Sequence, residues 1–200
     1  MRRACLHVGL DAEITEDPSV VRRASGVVLP GVGAMPEAMR RLEANGLADA
    51  IRYVAEAQIP LFGVCLGMQL LMSHGTEFID HEGLGIVRGS VQPFPPRRAT
   101  GELIRIPHIG WTEISKPSQD PDRWHNTLLS HTPSGVRVYF VHSYRVVPSE
   151  AGVIAATASY EGIEFVAAVS TGRIFGCQFH PERSGNEGLR MYRTFAEMIE

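Results

Sequence analysis

Cysteine is scarce in this chain. Cys5, Cys65 and Cys177 are three in 200 residues, and the count is odd. That excludes a disulfide-stapled secreted scaffold and points to a reducing compartment. No apolar run approaches the length needed to cross a bilayer. The first ten residues, Met1 to Leu10, are basic and then mildly apolar, too short and too polar for a signal peptide, so the cytoplasm is the expected location. Neither sign of charge dominates. The formal balance of −3 gives no case for nucleic acid or an anionic membrane as a partner. There is no Gly-x-Gly-x-x-Gly fingerprint and no Walker Gly-Lys-Ser/Thr, which removes the two commonest phosphate-cradling loops. Cys177-x-x-His180 has no second Cys/His pair of matching spacing, so neither a metal nor another cofactor is expected. Repeats, low-complexity tracts and interdomain linkers are also missing, and one domain over 1–200 is the expectation.

What is present is an ordinary globular composition, 44% hydrophobic and 20% charged. Residues 1–10 read as the end of an amphipathic helix, and Ala12-Glu13-Ile14-Thr15 alternates as a short strand. Asp17-Pro18 turns the chain into a short helix ending near Ala24. Gly26-Val27-Val28-Leu29 is a compact apolar run of the kind found in buried parallel strands, and Pro30-Gly31-Val32-Gly33 closes it as a loop. Ala34–Ala44 and Leu47–Ala57 read as helices broken at Asn45-Gly46. A strand at Leu61–Val64 then leads into an apolar helix reaching about Ser73. This alternation predicts an α/β fold, a doubly wound and mostly parallel sheet flanked by helices. After Gly83 the texture becomes a series of short strands, which adds antiparallel pieces. They are Gly85–Val91, Ile109–Ile114, Val136–Val141, Tyr144–Val147, Val153–Ser159 and Phe165–Ser170. Ile174–Phe179 is a further apolar strand closed by His180-Pro181-Glu182, and Asn186–Glu200 is a final amphipathic helix.

Two stretches carry chemistry. In Leu61-Phe62-Gly63-Val64-Cys65-Leu66-Gly67-Met68-Gln69, glycines stand two residues either side of a cysteine at a strand-to-helix junction. That is the layout of a nucleophile elbow, in which a sharp turn exposes one side chain. Unpaired N–H groups at the start of the helix favour the thiolate, and the N–H of Leu66 is free for a developing oxyanion. Taken alone, the stretch is equally compatible with a buried cysteine in a Gly-rich turn.

In His180-Pro181-Glu182 the proline ends the strand, and an extended backbone would place His180 and Glu182 on one side, the carboxylate orienting the ring. A cysteine, a histidine and a carboxylate are a nucleophile, a base and an orienter. Cys65 and His180 both follow predicted parallel strands, and the carboxyl ends of such strands are where α/β sites form. Pro30–Gly33 shares that address, and its two glycines permit close approach or a peptide flip. His7, His74, His81, His108, His125 and His131 show no partners in sequence and read as exposed or internally satisfied. His142-Ser143-Tyr144 reads as a strand bend among buried aromatics.

Gly63-Val64-Cys65-Leu66-Gly67-Met68-Gln69, with His180-Pro181-Glu182 and Pro30-Gly31-Val32-Gly33, resembles the triad (class I) glutamine amidotransferases. Ile106-Pro107-His108-Ile109-Gly110-Trp111, Tyr139-Phe140-Val141-His142-Ser143-Tyr144 and Gly176–Gly185 are similar to one branch, the glutaminase subunits of imidazole glycerol phosphate synthases. The resemblance implies Cys65, His180 and Glu182 as the triad. It implies backbone oxyanion donors at Leu66 and in Val32-Gly33, and L-glutamine held by Gln69 and the backbone of His142, Ser143 and Tyr144. It also implies a (βα)₈-barrel cyclase subunit as heterodimer partner, receiving ammonia, with Tyr139 and Arg183 near the interface. The branch usually has Lys where Arg183 stands, which keeps the charge and changes the shape. The branch begins with a strand and an Asp-x-Gly-x-Gly-Asn-like loop, whereas Met1 here falls inside the expected first helix. The first strand of the sheet is therefore expected to be missing from this sequence, through either a late-assigned start or a truncated variant, with the former favoured. Other amidotransferase subunits (anthranilate or aminodeoxychorismate type), a catalytically silent module and a cysteine peptidase are the competing readings.

Overall fold

The computed structural model describes residues 1–199. Helix α1 (Arg2–His7) opens the chain, followed by α2 (Pro18–Arg23), β1 (Val27–Leu29), α3 (Met35–Ala44), α4 (Leu47–Glu56), β2 (Leu61–Val64) and α5 (Leu66–Leu70). Helix α2 starts where the sequence signals it. The Asp17 carboxylate accepts the Ser19 N–H at 2.8 Å, and Pro18 occupies the first turn, where it loses no hydrogen bond. Gly46, at φ 69°, supplies the left-handed residue that separates α3 from α4.

Then come β3 (Met72–Gly75), β4 (His81–Glu82), β5 (Val87–Pro93), β6 (His108–Ser115), β7 (Arg137–His142), β8 (Tyr144–Pro148), β9 (Ile154–Tyr160), β10 (Ile163–Thr171), β11 (Ile174–Cys177) and α6 (Gly185–Ile199). A seven-stranded sheet runs in the order β1-β2-β11-β10-β9-β6-β7, and a smaller sheet in the order β4-β3-β5-β8. The α/β class holds, with one correction to the sheet. Parallel pairing in the large sheet is confined to β1–β2 and β2–β11, and the remaining pairings are antiparallel, so it is mixed rather than mostly parallel. The cause is local. Glu161-Gly162, both with positive φ, and Gly172-Arg173 are two-residue turns, and a hairpin can only join antiparallel neighbours.

Two further expectations fail. Ala12–Thr15 forms no strand; it has no neighbour to pair with, and Ile14 stays 83% exposed. The elbow helix stops at Leu70 instead of about Ser73, because Met72–Gly75 leaves to pair with β5 in the small sheet. The final helix is α6, with Glu200 outside the described residues.

Alternation along β2 divides the core. Phe62 and Val64 face the aromatic side, where Phe62 meets Phe175, Tyr192 and Phe195 at centroid distances of 5.6–5.8 Å. Leu61 faces the other side, among Ile51 and Val54 of α4 and Met68 of α5. Each such side chain contributes roughly 1.5–3 kcal/mol on burial. The strand that carries the elbow is thus clamped on both faces and paired on both edges.

Candidate active site

Cys65 follows β2 directly and caps α5 at φ 56° and ψ −110°. A non-glycine residue there costs on the order of 1–3 kcal/mol, which the surrounding packing has to offset. Its N–H donates to the Cys177 carbonyl at 2.7 Å and its carbonyl accepts the Met68 N–H at 3.0 Å. Both elbow glycines are required by contact. A Cβ on Gly67 would lie 1.9 Å from the Leu29 carbonyl oxygen, and one on Gly63 would lie 2.9 Å from the Gly67 backbone. The sharp turn read from the sequence is therefore present, with the thiol at its apex.

β11 runs beside β2 and delivers His180 to the same end of the sheet. His180 Nδ1 is 2.9 Å from Glu182 Oε1, and both side chains are largely buried. The backbone route differs from expectation. Pro181–Arg183 is a 3₁₀ turn, so Glu182 reaches the ring by folding back and not along an extended segment. Ser184 ties this turn down, its Oγ donating to the His180 carbonyl at 2.7 Å and accepting the Tyr139 N–H at 3.0 Å.

With Nδ1–H given to Glu182, Nε2 becomes the working nitrogen. It is buried and has no hydrogen bond of good geometry among the described residues. Burial pulls His180 down, but the nearby Cys65 sulfur and Glu182 outweigh it and raise the ring to about 9. Burial raises Glu182, and the bond to His180 overcomes this and holds the carboxyl below its ordinary value. Cys177 and His180, the two ends of the conceivable half metal site, are turned to different partners, Cys177 Sγ to the Phe179 carbonyl and His180 to Glu182.

Around the elbow, Gln69 directs its amide N–H₂ to the Gln178 side-chain oxygen at 3.0 Å and to the Tyr144 carbonyl at 3.4 Å. Gln178 in turn directs Nε2 to Cys65 Sγ at 3.7 Å. The His142 ring points into the core, where burial holds it down to about 3, and Nδ1 bonds the Tyr144 carbonyl at 2.8 Å. The His142 side chain is thereby committed within the core. Val32 is 83% exposed and Gly33 has φ 98°. A cleft of about 290 Å³ lies between this loop, α3 and α5, lined among others by Leu29, Val32, Arg41 and Leu66; Cys65 is outside it.

Tyr139, on the outer strand β7 of the large sheet, meets Arg183 of the 3₁₀ turn that follows His180. The Arg183 guanidinium lies 4.6 Å over the Tyr139 ring, and Trp111, 47% exposed, packs edge-on against the same ring at 6.1 Å. Two residues escaped the sequence reading. Gln178 sits unremarked in an apolar strand. Glu77 is buried, accepts the Met35 N–H at 2.7 Å, and lies close enough to Tyr144 for its charge to reinforce the effect of burial in raising that phenol. A lone Glu in a Gly-Thr-Glu-Phe loop has no motif to announce it.

A cysteine at a βα elbow beside a His–Glu pair just past the end of the adjacent strand is the arrangement of a triad glutamine amidotransferase. Residues 3–198 match the class-I glutamine amidotransferase family. Crystal structures of similar fold include one described as a glutamine amidotransferase (TM-score 0.68, 19% identity, covering 99% of this chain and 91% of that one). Another is the glutaminase domain of Trypanosoma brucei CTPS with bound acivicin (TM-score 0.65, 19% identity, 98% and 84%). Among curated relatives, imidazole glycerol phosphate synthase subunit HisH of Moorella thermoacetica is 40% identical over 199 residues, 100% of this chain and 89% of its own length. That of Geobacter metallireducens is 44% identical over 193 residues, 94% and 87%. The chain belongs to the class-I glutamine amidotransferases and, within them, to the HisH subunits of imidazole glycerol phosphate synthase.

Proposed function

We propose that the chain is the glutaminase subunit of an imidazole glycerol phosphate synthase, hydrolysing L-glutamine to glutamate and ammonia for histidine biosynthesis. The observation that carries the reading is the convergence of the Cys65 apex with a buried His180–Glu182 pair. The Cys65 thiolate attacks the side-chain amide carbon of glutamine. The N–H of Leu66 and a flipped N–H at Val32 or Gly33 receive the oxyanion; the exposed Val32 and the cleft beside it give that peptide room to turn. His180 gives its Nε2 proton to the departing ammonia and later takes one from water as it opens the glutamyl thioester. Glu182 keeps the ring in one tautomer throughout. Gln69 and the backbone of Ser143 and Tyr144 hold the amino-acid end, and buried Glu77 supplies a carboxylate beside Tyr144 suited to an ammonium. Each step is carried by side chains, backbone and water, without a cofactor.

The ammonia passes to a (βα)₈-barrel cyclase subunit, which forms imidazole glycerol phosphate and aminoimidazole carboxamide ribotide. The exposed Trp111–Tyr139–Arg183 cluster, next to exposed Ile109, is the face we assign to that partner. The reaction belongs in the cytoplasm, where the unpaired Cys5, Cys65 and Cys177 stay reduced. No helix among the described residues is long and apolar enough to cross a membrane.

The test is ammonia release from glutamine by the purified chain, with and without the cyclase subunit and its nucleotide ligand, beside Cys65→Ala. Release that rises with the partner and disappears in Cys65→Ala supports the reading. A folded chain that binds the cyclase and releases no ammonia overturns it.

A further inference from the structure

Gln178 is fully buried one residue beyond β11, between the nucleophile and Gln69. Its amide has a donor end and an acceptor end, and which end faces sulfur decides what it does there. The neighbours settle the orientation. The Tyr144 carbonyl can only accept, and takes bonds from His142 Nδ1 at 2.8 Å and Gln69 Nε2 at 3.4 Å. Gln69 must therefore present its N–H₂ group, whose second hydrogen goes to Gln178 Oε1 at 3.0 Å. With its oxygen committed to Gln69, Gln178 can offer Cys65 Sγ only Nε2, at 3.7 Å. The donor direction runs from Gln69 through Gln178 and ends on the sulfur.

Another polar neighbour of Sγ has the opposite character. The Val141 carbonyl oxygen lies 4.0 Å away and can only accept. A thiol would donate to Val141, whereas a thiolate has no use for that carbonyl and is served by Gln178. We propose that Gln178 is a positioning residue that holds the Cys65 sulfur as a thiolate before substrate arrives, its N–H aimed by the amide chain anchored at Tyr144. The S–H bond breaks and the proton goes to His180 Nε2, a buried nitrogen without another partner among the described residues. The inference rests on Cys65 being the nucleophile, though not on which amide it attacks.

The titratable groups around the sulfur are few. His180 and, behind it, Glu182 come from the turn after β11, Cys177 from β11 itself and His142 from β7. His142 is held neutral by burial, and Cys177 is held as a thiol by burial.

The experiment is alkylation of the full chain by iodoacetamide from about pH 5 to about pH 9, with mass spectrometry reading Cys65, and buried Cys5 and Cys177 as internal controls. Gln178→Met keeps the length and removes the donor, while Gln178→Glu keeps the shape and supplies an acceptor. Both should move the midpoint of Cys65 alkylation up by about one pH unit or more, about tenfold slower reaction on the acid side, with the Glu variant shifted further. Loss of packing alone lowers stability and leaves that midpoint in place, so folded variants with the wild-type midpoint overturn the proposal. If neither variant folds, the Gln178 side-chain N–H₂ resonance of the wild-type chain decides. It should follow the Cys65 titration, and a resonance that ignores it overturns the proposal. Shifted alkylation without glutamine hydrolysis defeats the functional reading alone, and hydrolysis with unshifted alkylation defeats this one alone.

Discussion

His108 Nδ1 lies 3.0 Å from His142 Nε2, and both rings are buried. Their remaining nitrogens fix the protons. His142 Nδ1–H donates to the Tyr144 carbonyl, so Nε2 must accept from His108 Nδ1–H, and His108 Nε2 accepts the Thr112 hydroxyl at 2.8 Å. The chain is complete only when both rings are neutral, and aromatic rings of Phe140, Tyr160 and Phe165 surround it.

Acid should therefore weaken the fold well before carboxylates protonate. Burial holds His108 down to about 4 and His142 down to about 3, against about 6.5 in an unfolded chain. Below pH ~6.5 the unfolded state binds more protons, so stability falls as pH falls, by up to about 1.4 kcal/mol per pH unit for each ring, until the folded values are approached. His180 acts with the opposite sign. Its value is raised to about 9, so its contribution is complete below pH ~6.5 and is lost as pH rises toward about 9. Urea unfolding should show maximal stability near pH 6.5 and a loss already evident at about pH 5.5. A midpoint unchanged between those two conditions contradicts the account.

Glu182→Gln should separate orientation from binding. The amide keeps the size of the carboxylate and loses the charge that helps hold His180 near 9. A side-chain amide can also present its N–H₂ to Nδ1 and reverse the tautomer, turning Nε2 into the wrong kind of nitrogen for receiving a proton. With the cyclase present, kcat for ammonia release should fall by about 10²–10⁴-fold while KM for glutamine changes little. Steady-state kinetics check this, and a KM-dominated defect would assign Glu182 to substrate binding.

Gly67→Ala tests the elbow itself. The added Cβ would come within 1.9 Å of the Leu29 carbonyl oxygen, which belongs to backbone paired with β2 and cannot simply move aside. Destabilisation of about 1–3 kcal/mol or more is expected, with Cys65 displaced and its activity lost. Gly152→Ala, where a Cβ meets nothing within 4 Å, should stay within about 0.5 kcal/mol of the wild type and serves as the control. Equal unfolding midpoints for the two variants would remove close packing as the reason for Gly67.

Much of this site could be read from the sequence because its signals are local. Gly63, Cys65 and Gly67 sit within five residues at a strand-to-helix junction, and His180-Pro181-Glu182 is contiguous. What escaped depends on partners far apart in sequence. His108 and His142 are 34 residues apart, Glu77 caps Met35 across 42, and Gln178 reaches Cys65 across 113. A histidine in a strand shows nothing of the strand it will pair with, so the β6–β7 register that joins His108 to His142 was invisible. The mixed sheet was hidden for a related reason. Strand periodicity gives burial, while direction is decided by turns such as Glu161-Gly162, whose backbone conformation composition only hints at.

The face we assign to the cyclase is one peptide away from His180, the base in the proposed reaction. The Tyr139 carbonyl accepts the His180 N–H at 2.8 Å, and the Tyr139 N–H binds Ser184, so this one residue holds both ends of the turn bearing His180 and Glu182. Its ring lies beneath Arg183 at 4.6 Å, an exposed contact worth about 0.5–1 kcal/mol. A cyclase subunit resting on Arg183 and Tyr139 would therefore press on the turn that positions the base. Arg183→Ala should leave the free chain's unfolding midpoint within about 0.5 kcal/mol of wild type, because the backbone bonds remain. It should weaken cyclase binding by up to about tenfold in calorimetry and reduce the extent to which bound nucleotide stimulates ammonia release. Unaltered binding and stimulation would move the interface off this face. Altered stimulation with unaltered binding would place Arg183 in the coupling between the sites.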